Sequence, residues 1–148
     1  SVASNLRLGA PEATDEELWH ALRTAQADFV EDLDMHIAQG GTNVSGGQRQ
    51  RLSIARMLVA RPLVYLFDDS FSALDVLTDA AVREAMREYT AHATTIIVAQ
   101  RVSSIVDADQ ILVMDAGRIV ARGTHAQLLE ESETYREIVE SQQTAEVA

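Results

Sequence analysis

The run Asn43-Val44-Ser45-Gly46-Gly47-Gln48-Arg49-Gln50-Arg51 places a hydroxyl and two glycines at the start of a segment with helical periodicity. That arrangement suits an anion. The first N–H groups of a helix lack internal partners and carry partial positive charge, glycine lets a ligand approach the backbone, and Ser45 adds a hydroxyl donor. Taken alone, Ser45-Gly46-Gly47 reads first as an ordinary helix N-cap with a glycine turn. A second group is Asp68-Asp69, which closes the short and almost unbroken apolar run Leu63–Phe67. Such a run predicts a strand buried on both faces of a parallel sheet. A carboxylate at its C-terminal end stands where open α/β sheets bind ligands, and suits Mg²⁺ held through water. The other reading of Asp68 is a strand-end acid that caps the next turn. The twelve basic residues are all Arg, so these 148 residues contain no G-x-x-x-x-G-K-[ST] phosphate loop.

Elements must hold these groups in place, and the pattern predicts them. Leu18, Trp19, Leu22, Ala25 and Phe29 recur at helical spacing over 15–29, with Thr14 and Glu17 forming a capping box. The turn-rich Gln39–Asn43 precedes a helix over 48–60, which Arg61-Pro62 ends. Further helices are expected over 76–89, 125–130 and 134–141, a second buried strand over 94–99, and a short helix or turn over 102–106. A hairpin is expected with strands over 111–114 and 118–121 around Asp115-Ala116-Gly117. Strands alternating with helices after a mainly helical start predict an α/β layered core.

Composition narrows the function classes. A length of 148 residues with 47% hydrophobic content fits one domain or part of one. The net charge of −11, thickened toward the end by Glu130, Glu131, Glu133, Glu137 and Glu140, repels phosphate backbones, so no nucleic acid partner is expected. Without cysteine there is neither a disulfide framework nor a thiolate metal site. No apolar run approaches the ~20 residues that cross a bilayer, so this piece is expected to be soluble. His20, His36 and His92 lack ligand-like spacing and are expected to be solvated. His125 is expected to serve as a helix-start or packing residue, and Trp19 to pack.

The ordered set of motifs resembles that of the ATP-binding-cassette (ABC) proteins, from Ser1 to Gln143. Val44-Ser45-Gly46-Gly47-Gln48 is similar to the family's signature, with Val44 for the usual Leu. Leu63–Asp68 resembles a Walker B strand, Ser72-Ala73-Leu74-Asp75 the D-loop, and Ile96–Arg101 the switch loop. Asp115–Val120 through Gly123-Thr124-His125 resembles the exporter-type ending. The resemblance implies an α/β P-loop NTPase core of ABC type with part of an α-helical subdomain, and ATP and Mg²⁺ as cofactors. Residues 1–148 would be the C-terminal part of one nucleotide-binding domain. Residues 1–60 would form the helical subdomain and signature helix, and 61–148 the Walker B strand, D-loop, switch loop and C-terminal helices. Walker A, the adenine-stacking aromatic and the glutamine loop are expected to precede Ser1.

Two positions depart from the family at the residues nearest the chemistry. Asp69 stands where the family's general base is Glu. One methylene shorter, it falls back from the about 2.6–3.2 Å at which a base meets its proton. Gln100 stands where the switch residue is His, and can hydrogen-bond a γ-phosphate but cannot take up a proton. Gln39, where exporters often carry an acid, is a softer departure. The resemblance therefore implies one half of a heterodimeric exporter. This half would lend its signature to a second ABC half with a competent site, and would carry a transmembrane domain upstream at the cytoplasmic face of the membrane. ATP hydrolysis would belong to the full transporter, and the isolated piece would be inactive. The competing expectations are a non-transport ABC ATPase of DNA repair or translation, which calls for coiled coils or basic surfaces, and a purely structural fragment.

Overall fold

The structure, a computed structural model, describes residues 1–146. Helices α1 (Val2–Leu6), α2 (Asp15–Thr24) and α3 (Gly46–Ala60) come first, followed by β1 (Val64–Asp68), α4 (Val76–Thr90) and β2 (Thr94–Val98). Then come β3 (Ile111–Asp115), β4 (Arg118–Gly123), α5 (His125–Glu131) and α6 (Glu133–Glu146). Short 3-10 turns cover Gln39–Gly41 and Val102–Ser104. This is a mixed α/β architecture, as expected. The chain divides into two compact units, Ser1–Ile96 and a second that begins at Ile97.

In the first unit α3 packs against both α1 and α2. Val2, Leu6, Leu18, Ala21, Leu22, Ala55 and Leu58 are at most 1% exposed and form the core of this helical layer. Each large aliphatic side chain so buried contributes about 1.5–3 kcal/mol. The capping box at α2 forms as predicted, with Glu17 N–H donating to Thr14 Oγ1 and Thr14 N–H donating to Glu17 Oε2 at 2.9 Å. These bonds hold the Glu17 carboxyl below its ordinary range, the Thr14 backbone N–H contributing most. The helix stops earlier than the apolar spacing predicts, because Gln26 turns left-handed at φ 54° and leads Ala27–Phe29 away. Helix α3 ends at Arg61, also left-handed at φ 44°, just before Pro62.

β1 and β2 are neighbours in a two-stranded sheet, with Thr94 N–H donating to Leu63 O at 3.0 Å. The expectations of a strand buried on both faces over 63–67 and of a second buried strand over 94–99 are corrected here. In β1 only Tyr65 and Phe67 are buried, while Val64 and Leu66 are exposed. In β2 Ile96 and Val98 are exposed as well. An unbroken apolar run reports that both faces are apolar; among the described residues, one face of β1 is covered and no residue of β2 is buried.

The second unit is built on the β3–β4 hairpin. Ala116 (φ 46°) and Gly117 (φ 75°) supply the two positive φ angles that a two-residue I′ connection requires. Ile111, Val113, Leu128 and Tyr135 form its buried cluster, with Val102, Ile105, Leu129 and Val139 packed against them.

Candidate functional site

The turn before α3 is fastened by Asn43. Its Nδ2 donates to His36 O at 2.8 Å and its Oδ1 accepts from Ala38 N–H at 2.9 Å, which sets the approach of the chain to the helix. Buried Val44 anchors the turn from beneath. Ser45 is the N-cap of α3, with Oγ accepting from Gln48 N–H at 3.2 Å and Ser45 N–H donating to Gln48 Oε1 at 2.8 Å. The cap and anion readings are compatible. A hydroxyl that accepts one bond keeps its own proton to donate. Ser45 and Gly46 are exposed, so the first turn of α3 faces solvent with backbone N–H groups that have no partner inside the helix.

Gly47 has a specific steric reason. A Cβ there would stand 3.0 Å from Ala73 O, so the absence of a side chain lets the loop that follows β1 lie against the first turn of α3. That loop begins at Asp69, left-handed at φ 50°, a conformation open to Asp at modest cost. Asp69 O accepts from Ser72 N–H at 3.3 Å and from Ser72 Oγ at 3.0 Å. Phe71, 5.2 Å from Phe67 between ring centroids, and buried Leu74 pin the loop to the core. Asp75 closes it by capping α4, accepting from Thr78 N–H at 3.0 Å and Thr78 Oγ1 at 2.6 Å. The Thr78 hydroxyl, then its N–H, hold the Asp75 carboxyl below its ordinary range.

Gln50 was not singled out from the sequence, yet it joins the two segments. Its Nε2 donates to Asp69 O at 3.4 Å and to Ser72 Oγ at 3.3 Å, and its Oε1 accepts from Ala73 N–H at 3.1 Å. The first unit thus brings together the Ser45–Gln48 turn, the Asp69 strand end and the Ser72–Asp75 loop. Gln100 belongs to the second unit, two residues past β2, and its side chain is exposed. There Gln142, also missed, holds the backbone on both sides. Its Nε2 donates to Gln100 O at 2.7 Å and its Oε1 accepts from Val102 N–H at 2.8 Å. No local spacing announces a contact across forty residues of sequence, so neither glutamine was legible without the fold.

The remaining polar candidates have structural partners. His125 Nδ1 lies 2.8 Å from Tyr135 Oη, a packing role as expected, and burial pushes the Tyr135 hydroxyl pKa up. His20 is exposed, as predicted, and its ring also hydrogen-bonds Tyr89. Trp19 is half-buried.

Asp68 and Asp69 present exposed carboxylates at the end of β1. An oxygen-only pair of this kind fits a hard cation such as Mg²⁺ that keeps most of its water and shares a phosphate ligand. Among the described residues no group of three or more His, Cys, Asp and Glu side chains could hold a metal ion, so a fully protein-made cage is not the fitting arrangement.

Comparison with known proteins agrees with this geometry. The sequence profile of the family described as ABC transporter matches residues 1–72. The chain is 52% identical over 148 residues to an uncharacterized ABC transporter ATP-binding protein of Mycobacterium tuberculosis, covering 96% of this chain and 25% of the relative. It is 42% identical over 147 residues to the beta-(1→2)glucan export ATP-binding/permease protein of Nitrobacter winogradskyi, covering 96% and 24%. A bacterial Atm1-family ABC exporter solved with ATP bound superposes with a TM-score of 0.90 at 37% identity, over 96% of this chain and 26% of that one. The chain thus spans about a quarter of the length of these relatives. Fold and sequence together define an ABC-transporter nucleotide-binding domain, of which these residues are a part. More particularly, the chain is homologous to the ATP-binding domains of exporters of the Atm1 family. No helix among the described residues is long and apolar enough to cross a membrane.

Proposed function

We propose that this chain is the C-terminal part of the nucleotide-binding domain of an ABC exporter half, working beside a second half that carries a competent catalytic site. In this reading the first turn of α3 is lent to the ATP of the partner. Ser45 donates its hydroxyl proton and Gly46, Gly47 and Gln48 present their backbone to the terminal phosphates, while Val44 seats the turn. Residues 1–60 then act as helical subdomain and signature helix, and 61–148 as the part that carries Asp68, the Ser72–Asp75 loop and the switch position. Mg²⁺ would supply charge neutralisation at the phosphates, with Asp68 as its water-mediated ligand.

The site on this chain is a weak hydrolase in the same reading. Asp69 holds its carboxylate one methylene short of the attacking water, and Gln100 can contact a γ-phosphate without carrying a proton. An upstream membrane-spanning region in the full protein is supported by relatives described as combined ATP-binding and permease proteins. The observation that carries the proposal is the capped first turn of α3, where Ser45 and Gly46 are exposed and the first N–H groups have no partner inside the helix.

The test is Ser45→Arg in the assembled transporter, which fills the turn with a long side chain. ATP hydrolysis should fall by about a hundredfold or more, the loss typical when a preorganised donor is removed. Full turnover in that variant would refute the assignment of the turn to a nucleotide.

A further inference from the structure

The Gln50 carboxamide uses both its ends at once. The Nε2 end reaches Asp69 O and Ser72 Oγ, and the Oε1 end takes the Ala73 N–H. The two donated bonds, at 3.4 and 3.3 Å, are longer than usual and the accepted one is 3.1 Å, but three of them converge on one planar group and set its orientation. On the other side of the same contact Gly47 allows Ala73 O its close approach. The first two turns of α3 and the loop 69–75 are therefore tied at two points, one by hydrogen bonds and one by backbone packing. The tie ends on the carbonyl of Asp69, the residue whose backbone is left-handed and whose side chain stands at the strand end.

We propose that Gln50 is a positioning residue that locks the phosphate-facing turn of α3 to Asp69 and the Ser72–Asp75 loop, so that the two move as one body. The proposal rests on the reading of that turn given above. A site for a nucleotide shared between two halves needs its donors held to a fraction of an ångström, and α3 presents Ser45 and Gly47 from a free helix end. Gln50 fastens that end to the loop pinned by Phe71 and Leu74. Only an amide of this length can do so. Glutamate would set a second acceptor against the Asp69 carbonyl, methionine offers neither donor nor acceptor of use, and asparagine is one methylene short.

Steady-state ATP hydrolysis by the assembled full-length transporter tests this with Gln50→Glu and Gln50→Met, close in size to the native side chain. In both, kcat should drop by about tenfold while KM for ATP moves by less than about twofold, because the direct nucleotide contacts remain and only their placement is loosened. Thermal melting of the variants should match the parent. Unchanged kcat in both, or a fall in kcat that tracks loss of melting temperature, would overturn the proposal. Should the Gln50 variants fail to assemble, Ser72→Ala removes the hydroxyl shared by Gln50 and Asp69 without touching α3. It carries the same expectation and the same refutation. Ser45→Arg run in parallel separates the two ideas. Full turnover there defeats the nucleotide reading, whereas loss of turnover there with normal Gln50 variants defeats this proposal alone.

Discussion

Ser45 and Gln48 hold each other: the Gln48 N–H donates to Ser45 Oγ at 3.2 Å while the Ser45 N–H donates to Gln48 Oε1 at 2.8 Å. This reciprocal pair starts α3 and leaves the Ser45 hydroxyl proton free to point outward. One residue thereby serves the helix and remains available to an anion.

Because the cap and the anion contact use different parts of the same hydroxyl, Ser45→Ala should register in two assays. Loss of the cap should lower unfolding free energy by about 1 kcal/mol in a denaturant melt. ATPase activity of the assembled transporter should also drop, and by more than that stability change accounts for. A variant that loses stability alone would mean that the cap is the whole role of Ser45.

In the proposed reading, Asp69 and Gln100 are the two residues that weaken the site of this chain. Asp69→Glu with Gln100→His in the full assembly should raise hydrolysis at this site by at least about tenfold, since a correctly placed general base is worth about 10²–10⁴. Single-turnover measurement with the partner site blocked reads this directly. No gain would remove the case for a weakened site.

The 148-residue chain alone, without Lys and hence without a phosphate loop of its own, should show no tight binding when titrated with ATP and Mg²⁺ by calorimetry. Micromolar affinity would show that the exposed turn and the strand-end acids suffice by themselves.

Asp79 is 4% exposed in the first turn of α4 and takes Arg83 as a two-pronged partner, at 2.8 and 3.3 Å. Arg83→Met should cost about 1–3 kcal/mol, because it strips a buried carboxylate of its charged donor. Adding Asp79→Asn should recover part of that loss in a thermal melt. Equal stability of parent and single variant would show that the pair contributes nothing.

Acid should loosen two helix starts. The folded-state pKa of Asp75 lies below its ordinary 3.8 and that of Glu17 below its ordinary 4.5, each because of hydrogen bonds from the neighbouring threonine. Depressed carboxyl pKa values contribute stability that is fully present above the ordinary values and is lost as pH falls through the folded ones. Melting temperature should therefore decline below pH 4.5 with a component that Asp75→Asn and Glu17→Gln reduce. Identical acid slopes in parent and double variant would rule these caps out as the cause.

Much of this molecule was legible in one dimension because its signals are local. Thr14 and Glu17 lie three residues apart, the reach of a capping side chain, and α2 starts accordingly; α3 starts at Gly46, ahead of the expected Gln48, because Ser45 and Gln48 close a box of the same kind. The Ala116-Gly117 turn follows from the backbone angles that a two-residue hairpin needs. The ends of elements were harder to read. Helix α2 stops where Gln26 turns left-handed although the apolar spacing continues to Phe29, since periodicity reports a face and not the point where the chain leaves it.

By itself the sequence determined the order of the helices and strands from α2 onward, the helix start after Ser45 and the acids at the strand end. Each depends on residue type and on spacing within a few positions. The tertiary structure alone decided which face of β1 is covered, and that Gln50 reaches Asp69, Ser72 and Ala73 while Gln142 reaches Gln100 and Val102. Those relations join residues about 20 to 40 positions apart. Whether a side chain completes a bond across such a distance depends on how the elements pack, which a local pattern does not encode.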